Sequence, residues 1–460
     1  MLGGAARWAW LAYLALRCAL LFTPGYGADI GQFKLWSLLA AEHGVARLYE
    51  SSDFDYPPLY AYVLGAIGRT YDLIEPDALA RRADSAAFTA LVKLPALLFD
   101  LLIAGLLLAA GRAAAPRPIG PGGRAHGEPG AGPAAAYLLN PGVLFVGACW
   151  GQPDAVHSFF AAAAFAALPE CRGARRPAAG AALAWSLLAL AALMKPLGAP
   201  YFPLLALIGL LAAGARATLL GACAAAAVAA VVALPFVVQS GLAPITGRLL
   251  RDLGLMAWTS VQAHNLWWIV GPWRDAEAAW IGGWNARQAG IALFLAFLAA
   301  LCARAWIVHR ARRAGLHRSQ SLALAGALGF GFFMLSTHMH ENHAFAAVPL
   351  LLAAIAAAPR GNGARRLLAW LVAAVSAGLL LNCAAHDPWL RERWPLALGG
   401  PSGYAGDAPG RTFLAGEWIA GWIGTIWNLL AFGALCVFTF GEGLRRLAWR
   451  PGLPDGPREG

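Results

Sequence analysis

The chain has 460 residues, 59% of them hydrophobic and only 13% charged, with 19 tryptophans and 21 phenylalanines. Soluble domains carry about 25% charged residues, which excludes one here, and no recurrent short alternating strands support a β-barrel. The net charge of +11 lies in arginine clusters between apolar runs, as in cytoplasmic loops, so no nucleic-acid partner is expected.

Taken in chain order, the first apolar run extends from Trp8 to Phe22. Arg17 interrupts it and no small-residue cleavage site follows, so it reads as a retained span. With Arg7 marking a cytoplasmic N-terminus, residues 25–85 fall outside. Within them Pro57 to Tyr71 is apolar but short, opens with Pro-Pro and carries Arg69. It reads as an interfacial helix, because making it a span would put every later arginine cluster outside. The next span, Phe88–Ala110, ends in the Arg/Pro/Gly-rich loop 111–132, which holds Arg112, Arg117 and Arg124.

Runs at Ala134–Cys149 and Ala155–Leu168 flank an outer turn, Trp150–Asp154. Arginines at 172, 175 and 176, at 216, from 304 to 318, at 360, 365 and 366, and in the tail through Arg450 define further inner segments. The alternate segments Lys195–Pro200, Gln239–Gln288, His338–His343 and Asn382–Ala415 then fall outside. The count is roughly twelve spans with both termini cytoplasmic. The expected protein is an all-α, multi-pass integral protein of the plasma membrane. Residues 1–350 read as the catalytic region, 351–445 as C-terminal transmembrane helices and 446–460 as a cytoplasmic tail. The seven cysteines are scattered in apolar runs and suggest neither zinc pairs nor a disulfide framework.

Polar chemistry gathers at the outer ends. Asp29 precedes an i, i+3, i+4 pattern of Gln32, Phe33, Trp36, Leu39 and Ala40, so it serves either as the cap of an amphipathic helix or as a general base. Asp55-Tyr56-Pro57-Pro58-Leu59-Tyr60 is a rigid helix entry with an aromatic belt, and Asp55 is a substrate contact on the alternative reading. Trp150-Gly151-Gln152-Pro153-Asp154 is a tight turn whose Gln152 and Asp154 suit hydrogen bonding to a sugar. Lys195, one of three lysines with Lys34 and Lys93, all outer, is a snorkelling residue or a cation for a phosphate.

The densest cluster is Ser336-Thr337-His338-Met339-His340-Glu341-Asn342-His343. His340, Glu341 and His343 lack the i, i+4 histidine pair of a metalloprotease helix, so substrate contact ranks above metal binding and no metal is assigned. Asn265, in Gln262-Ala263-His264-Asn265-Leu266-Trp267-Trp268, and the upstream Arg248 and Arg251 are candidates to reach the same cleft. Lys93 and Asp100, seven apart on one span, share a face; Asp100 suits either a functional role or a helix-to-helix contact.

With these residues in place, the chain resembles the C-type (GT-C) membrane glycosyltransferases. It looks most like the dolichyl-phosphate-glucose-dependent glucosyltransferases and their bacterial mannosyltransferase-like relatives. The resemblance runs through Asp29, Asp55-Tyr56-Pro57-Pro58-Leu59, Lys93 to Asp100, Asn140-Pro141 with Gly151-Gln152, Lys195-Pro196, Asn265-Leu266-Trp267 and His340-Glu341, up to about residue 350. Gly151-Gln152-Pro153-Asp154 departs from the His-Phe-Gln type of the eukaryotic enzymes, and Asn342 replaces a lysine often found after His-Glu.

The resemblance implies a GT-C-like bundle with an outer juxtamembrane helical loop after the first span. It also implies inverting transfer of a hexose, mannose or glucose, from a polyprenyl-phosphate donor, with Asp29 as catalytic base. The acceptor would be a glycolipid, a glycan or a protein, and membrane lipid would surround the site. No nucleotide loop and no certain cofactor are indicated. The alternatives are a twelve-span secondary transporter and a polymerase or ligase of lipid-linked polysaccharide.

Overall fold

The computed structural model of the chain describes residues 4–78, 82, 84–115, 130–170, 176–248, 257–311, 315–393, 401–405, 407 and 412–448. The expectations attached to Arg117, Arg124, Arg172, Arg175, Arg251 and Arg450 lie outside the described residues, as does the tail beyond 448.

Each apolar run named in the sequence is helical. Helices α1 (Gly4–Leu21), α2 (Gly27–His43), α3 (Pro58–Ile74) and α4 (Ala86–Ala114) open the chain. They are followed by α5 (Ala131–Leu138), α6 (Asp154–Ala167), α7 (Pro177–Met194), α8 (Phe202–Ala213) and α9 (Ala215–Ser240). The second half contributes α10 (Ala286–Arg310), α11 (Arg318–Leu335), α12 (Ala347–Ala357), α13 (Gly363–Ala385) and α14 (Ala415–Phe440).

Among the described residues seven helices are long and apolar enough to cross a membrane. An eighth arises if Ala131–Leu138 and Pro141–Trp150, bent by 46°, form one broken span. The chain is therefore an all-α polytopic membrane protein. Against the expected twelve spans, seven or eight is the number by length and composition among the described residues. The apolar helices Asp154–Ala167 and Ala347–Ala357 are shorter, and each stops before a proline, Pro169 and Pro359, that opens a polar segment.

The break after α5 follows from its sequence. Pro141 lacks the amide that would continue the helix, and Asn140 caps the restart by accepting from the Gly142 and Val143 amides at 3.0 and 3.2 Å. The restarted helix widens into a π-turn over Phe145–Trp150 and ends at Gly151, whose φ of +83° suits glycine. A Cβ at Gly151 would lie 2.6 Å from the Ile30 side chain, so this turn sits directly against α2.

Helices α2 and α3 form the wall of this end of the bundle. Ile30, Phe33, Ser37 and Ala40 of α2 are buried at three- and four-residue spacing, which puts them on one stripe. Helix α3 opens with Pro58 in its first turn and crosses α2 so closely that a Cβ at Gly68 would sit 2.0 Å from the Ser37 carbonyl oxygen. Edge-on aromatic pairs hold α2 here: Phe33 with Tyr60 of α3 at 5.4 Å, and Trp36 with Phe54 of the preceding loop at 5.3 Å between ring centroids. Helix α3 is not among the helices long and apolar enough to span.

A second polar lock lies deeper. Arg17 of α1 pairs with Asp100 of α4, and Tyr13 and Tyr137 donate to the same carboxylate at 2.9 and 2.7 Å. All four side chains are buried. Of the two readings of Asp100, the helix-to-helix contact is the one its partners describe.

Candidate active site

The polar residues that the sequence reading assigns to the outer face meet at one end of the bundle. Asp29 occupies the third position of α2, and the cap position belongs to Tyr26. The carboxylate of Asp29 instead accepts a hydrogen bond from the side chain of Gln152, beyond the π-turn. The Tyr26 amide donates to the Trp150 carbonyl at 3.0 Å, so the start of α2 and the π-turn are tied through backbone as well.

Asp154 is the first residue of α6 and is fully buried. Lys195 donates to both of its oxygens, at 3.0 and 3.1 Å, and Asn342 donates to one of them at 2.9 Å. Lys195 reaches this position because α7 ends at Met194, where Pro196 cannot continue the helix and Lys195 turns extended. Its stem is buried, and its ammonium is held by a carboxylate rather than lifted to water.

The histidine segment closes the site. Met339–His340 pairs in parallel with Ser260–Val261, and His338, at φ +61°, accepts from the Trp258 amide at 2.9 Å. This short ladder fixes the segment against the 257–268 loop. The His340 amide donates to Nδ1 of His343 at 3.2 Å, and the two rings lie edge to face at 5.1 Å.

These groups perturb one another's ionisation. Burial raises the ionisation of Asp29 above the ordinary carboxylate range; the Lys195 ammonium and the Gln152 hydrogen bond oppose that rise, and Asp154 adds to it. Burial and then the Lys195 charge push His340 down to about 4 and hold His343 well below its usual value. Both imidazoles are therefore neutral near pH 7, able to donate one N–H each but carrying no charge. Tyr56 and Tyr60 are held well above the usual phenol range, chiefly by burial, and both feel Asp29 and Asp154.

Of the residues singled out in the sequence, Asp29, Tyr56, Gln152, Asp154, Lys195, His340 and His343 come together. Asp55 adjoins Tyr56 and is half-buried. Glu341 is buried beside His340, with 3.9 Å between Oε2 and Nδ1.

Asn265 does not join them. Its amide group donates to the Phe333 and Ser336 carbonyls at 2.9 and 3.2 Å and accepts from the Trp267 amide, so every polar atom serves the loop. Arg248 donates to the Ser52 carbonyl at 2.6 Å, bracing the loop that precedes Asp55. Lys93 likewise donates to the carbonyls of Leu20, Thr23 and Cys149, closing the end of α1 against the π-turn. Trp150 is buried, and its indole donates to Asp387 at 2.7 Å.

Two contributors escaped the sequence reading. Asn342 grips Asp154, whereas the sequence marked it only as a departure from the lysine often found after His-Glu. A buried chain also runs from His264 to His386, with 3.0 Å between their Nε2 atoms, and on to Glu417, 3.7 Å from His386 Nδ1. No spacing rule links residues so far apart. Among the described residues, no three or more His, Cys, Asp or Glu side chains are placed to share a metal ion.

No family profile and no curated protein matches the chain. Among solved structures it is similar to that of ArnT from Cupriavidus metallidurans bound to undecaprenyl phosphate. The sequences are 14% identical and the TM-score is 0.48, covering 96% of this chain and 78% of that one. A likeness of that size assigns neither activity nor ligand to this chain.

Proposed function

We propose that the protein is a glycosyltransferase that moves a hexose, mannose or glucose, from a polyprenyl-phosphate donor to a hydroxyl of a glycolipid, glycan or protein. The transfer would occur at the extracytoplasmic face of the plasma membrane. One observation carries the reading. A half-buried carboxylate, Asp29, is oriented by Gln152 beside a buried Lys195–Asp154 pair and two neutral imidazoles, all at one end of an apolar helical bundle. The sequence resemblance to the GT-C enzymes points the same way.

Asp29 takes the proton of the acceptor hydroxyl as its oxygen attacks the anomeric carbon. The bond from that carbon to the phosphate oxygen breaks in the same displacement, with inversion, and polyprenyl phosphate leaves with the electron pair. Its developing charge meets the Lys195 ammonium, a point charge fixed in a site of low dielectric. His340 and His343, uncharged before the donor arrives, add hydrogen bonds to the phosphate oxygens. Asp154 has both oxygens engaged, so its part is to hold Lys195 in place, and Asn342 holds Asp154. Gln152 keeps Asp29 ionised and aimed, while Tyr56 and Asp55 line the sugar side.

The test is transfer from a synthetic polyprenyl-phosphate mannose or glucose by the purified protein in detergent, read as labelled product. Uptake of a solute into proteoliposomes with no glycosyl product would overturn the proposal in favour of a transporter.

A further inference from the structure

A second feature lies at the opposite end of the bundle. A cavity of about 1100 Å³ runs between α5, α12 and α13, walled by Pro133, Leu139, Leu352, Ala373 and Leu380. Arg365 and Arg366 stand at one end of it, and among the described residues no acidic side chain lines it. From Arg366 to Leu380 the groove follows α13 for ~21 Å, against a hydrocarbon core of about 30 Å.

The polar atoms in its walls are spent on each other. Asn140 donates to the Ser376 hydroxyl at 2.7 Å and accepts from two backbone amides. The interior therefore offers apolar surface and little else, which does not suit a sugar. Arg365 is pinned at the mouth by its Nε, which donates to the Ile355 carbonyl at 3.0 Å, while Arg366 is exposed.

Helix α12 leaves the site end after His343, and α13 returns to that end at His386 and Asp387, the latter bonded to Trp150. The two arginines consequently sit at the face remote from Asp29.

We propose that this groove binds an anionic membrane phospholipid of the leaflet opposite the Asp29 site, its phosphate between Arg365 and Arg366 and its acyl chains along α13. The charge pattern selects this occupant. Guanidinium groups bind phosphate oxygens in fork geometry, and uncompensated basic side chains at a membrane surface favour anionic over zwitterionic headgroups. The binding does not depend on the transfer reaction proposed above.

Native mass spectrometry of the full chain, released from detergent after challenge with equal amounts of phosphatidylglycerol and phosphatidylcholine, tests the site. The parent should retain phosphatidylglycerol over phosphatidylcholine by about tenfold, as one tightly held anionic headgroup implies. Arg366→Ala, which spares the Arg365 bond to Ile355, should lower that preference several-fold. Ala373→Trp keeps both arginines but obstructs the groove midway along α13, and should sharply reduce the retained lipid. Equal retention of the two lipids by the parent, or an undiminished preference in Ala373→Trp, would overturn the proposal even if Arg366→Ala fails to fold.

Discussion

Replacing Lys195 with methionine separates what its charge does for the fold from what it does for the reaction. The methionine keeps the unbranched stem, so packing at the end of α7 changes little. What disappears is the ammonium that donates to both oxygens of Asp154 at 3.0 and 3.1 Å. Asp154 is fully buried and would keep only the Asn342 amide, at 2.9 Å. Removing one partner of such a pair costs about 3–5 kcal/mol.

The double variant Lys195→Met/Asp154→Leu removes the stranded charge too. It should recover most of that loss, short of the roughly 1–3 kcal/mol left by an Asn342 amide without an acceptor. Turnover should behave differently. A fixed charge that meets the leaving phosphate is worth on the order of 10²–10³ in kcat, and leucine at 154 restores none of it. Thermal unfolding in detergent reads the first effect, and transfer of labelled sugar from a polyprenyl-phosphate donor reads the second. A double variant that regains both stability and full turnover would refute the phosphate role of Lys195.

The raised ionisation of Asp29 sets the acid limb of the pH profile, because the base form is lost as pH falls through the folded-state value. That limb should lie above the ordinary carboxylate range of about 4. Gln152→Leu removes a hydrogen bond to the charged form and should move the limb further up, measured as kcat/KM against pH; an unmoved limb would contradict the pairing. Arg17→Met strands Asp100 among Tyr13 and Tyr137 and should destabilise the protein by about 3–5 kcal/mol, with Arg17→Met/Asp100→Leu restoring much of the loss in the same melting assay. Asn265→Ala should lower the melting temperature while leaving sugar preference intact, and a changed preference would return Asn265 to the site.

Helix identity and the gathering of polar groups at one end were legible because the bilayer punishes polar residues elsewhere. A carboxylate or ammonium beside an apolar run stands out in sequence, and Asp29, Gln152, Asp154, Lys195, His340 and His343 stood out in that way. Where each helix stops was less legible. Asn140-Pro141 signals the bend, but the π-turn before Gly151 and the Asn140 bond to Ser376 of α13 are features that apolar composition does not record. Partner choice was the least legible of all. Asn265 and Arg248 have the chemistry of ligand-binding groups, yet their donors point to backbone carbonyls, a choice made by loop geometry. The His264–His386–Glu417 chain joins three elements by tertiary packing alone.

The most direct measurement is single-turnover transfer by Asp29→Asn against the parent, in protein shown by melting to be folded. The amide preserves the shape of the side chain but cannot accept the proton of the incoming hydroxyl, so the rate should fall by about 10²–10⁴. A folded Asp29→Asn protein that transfers sugar at the parental rate would contradict the account.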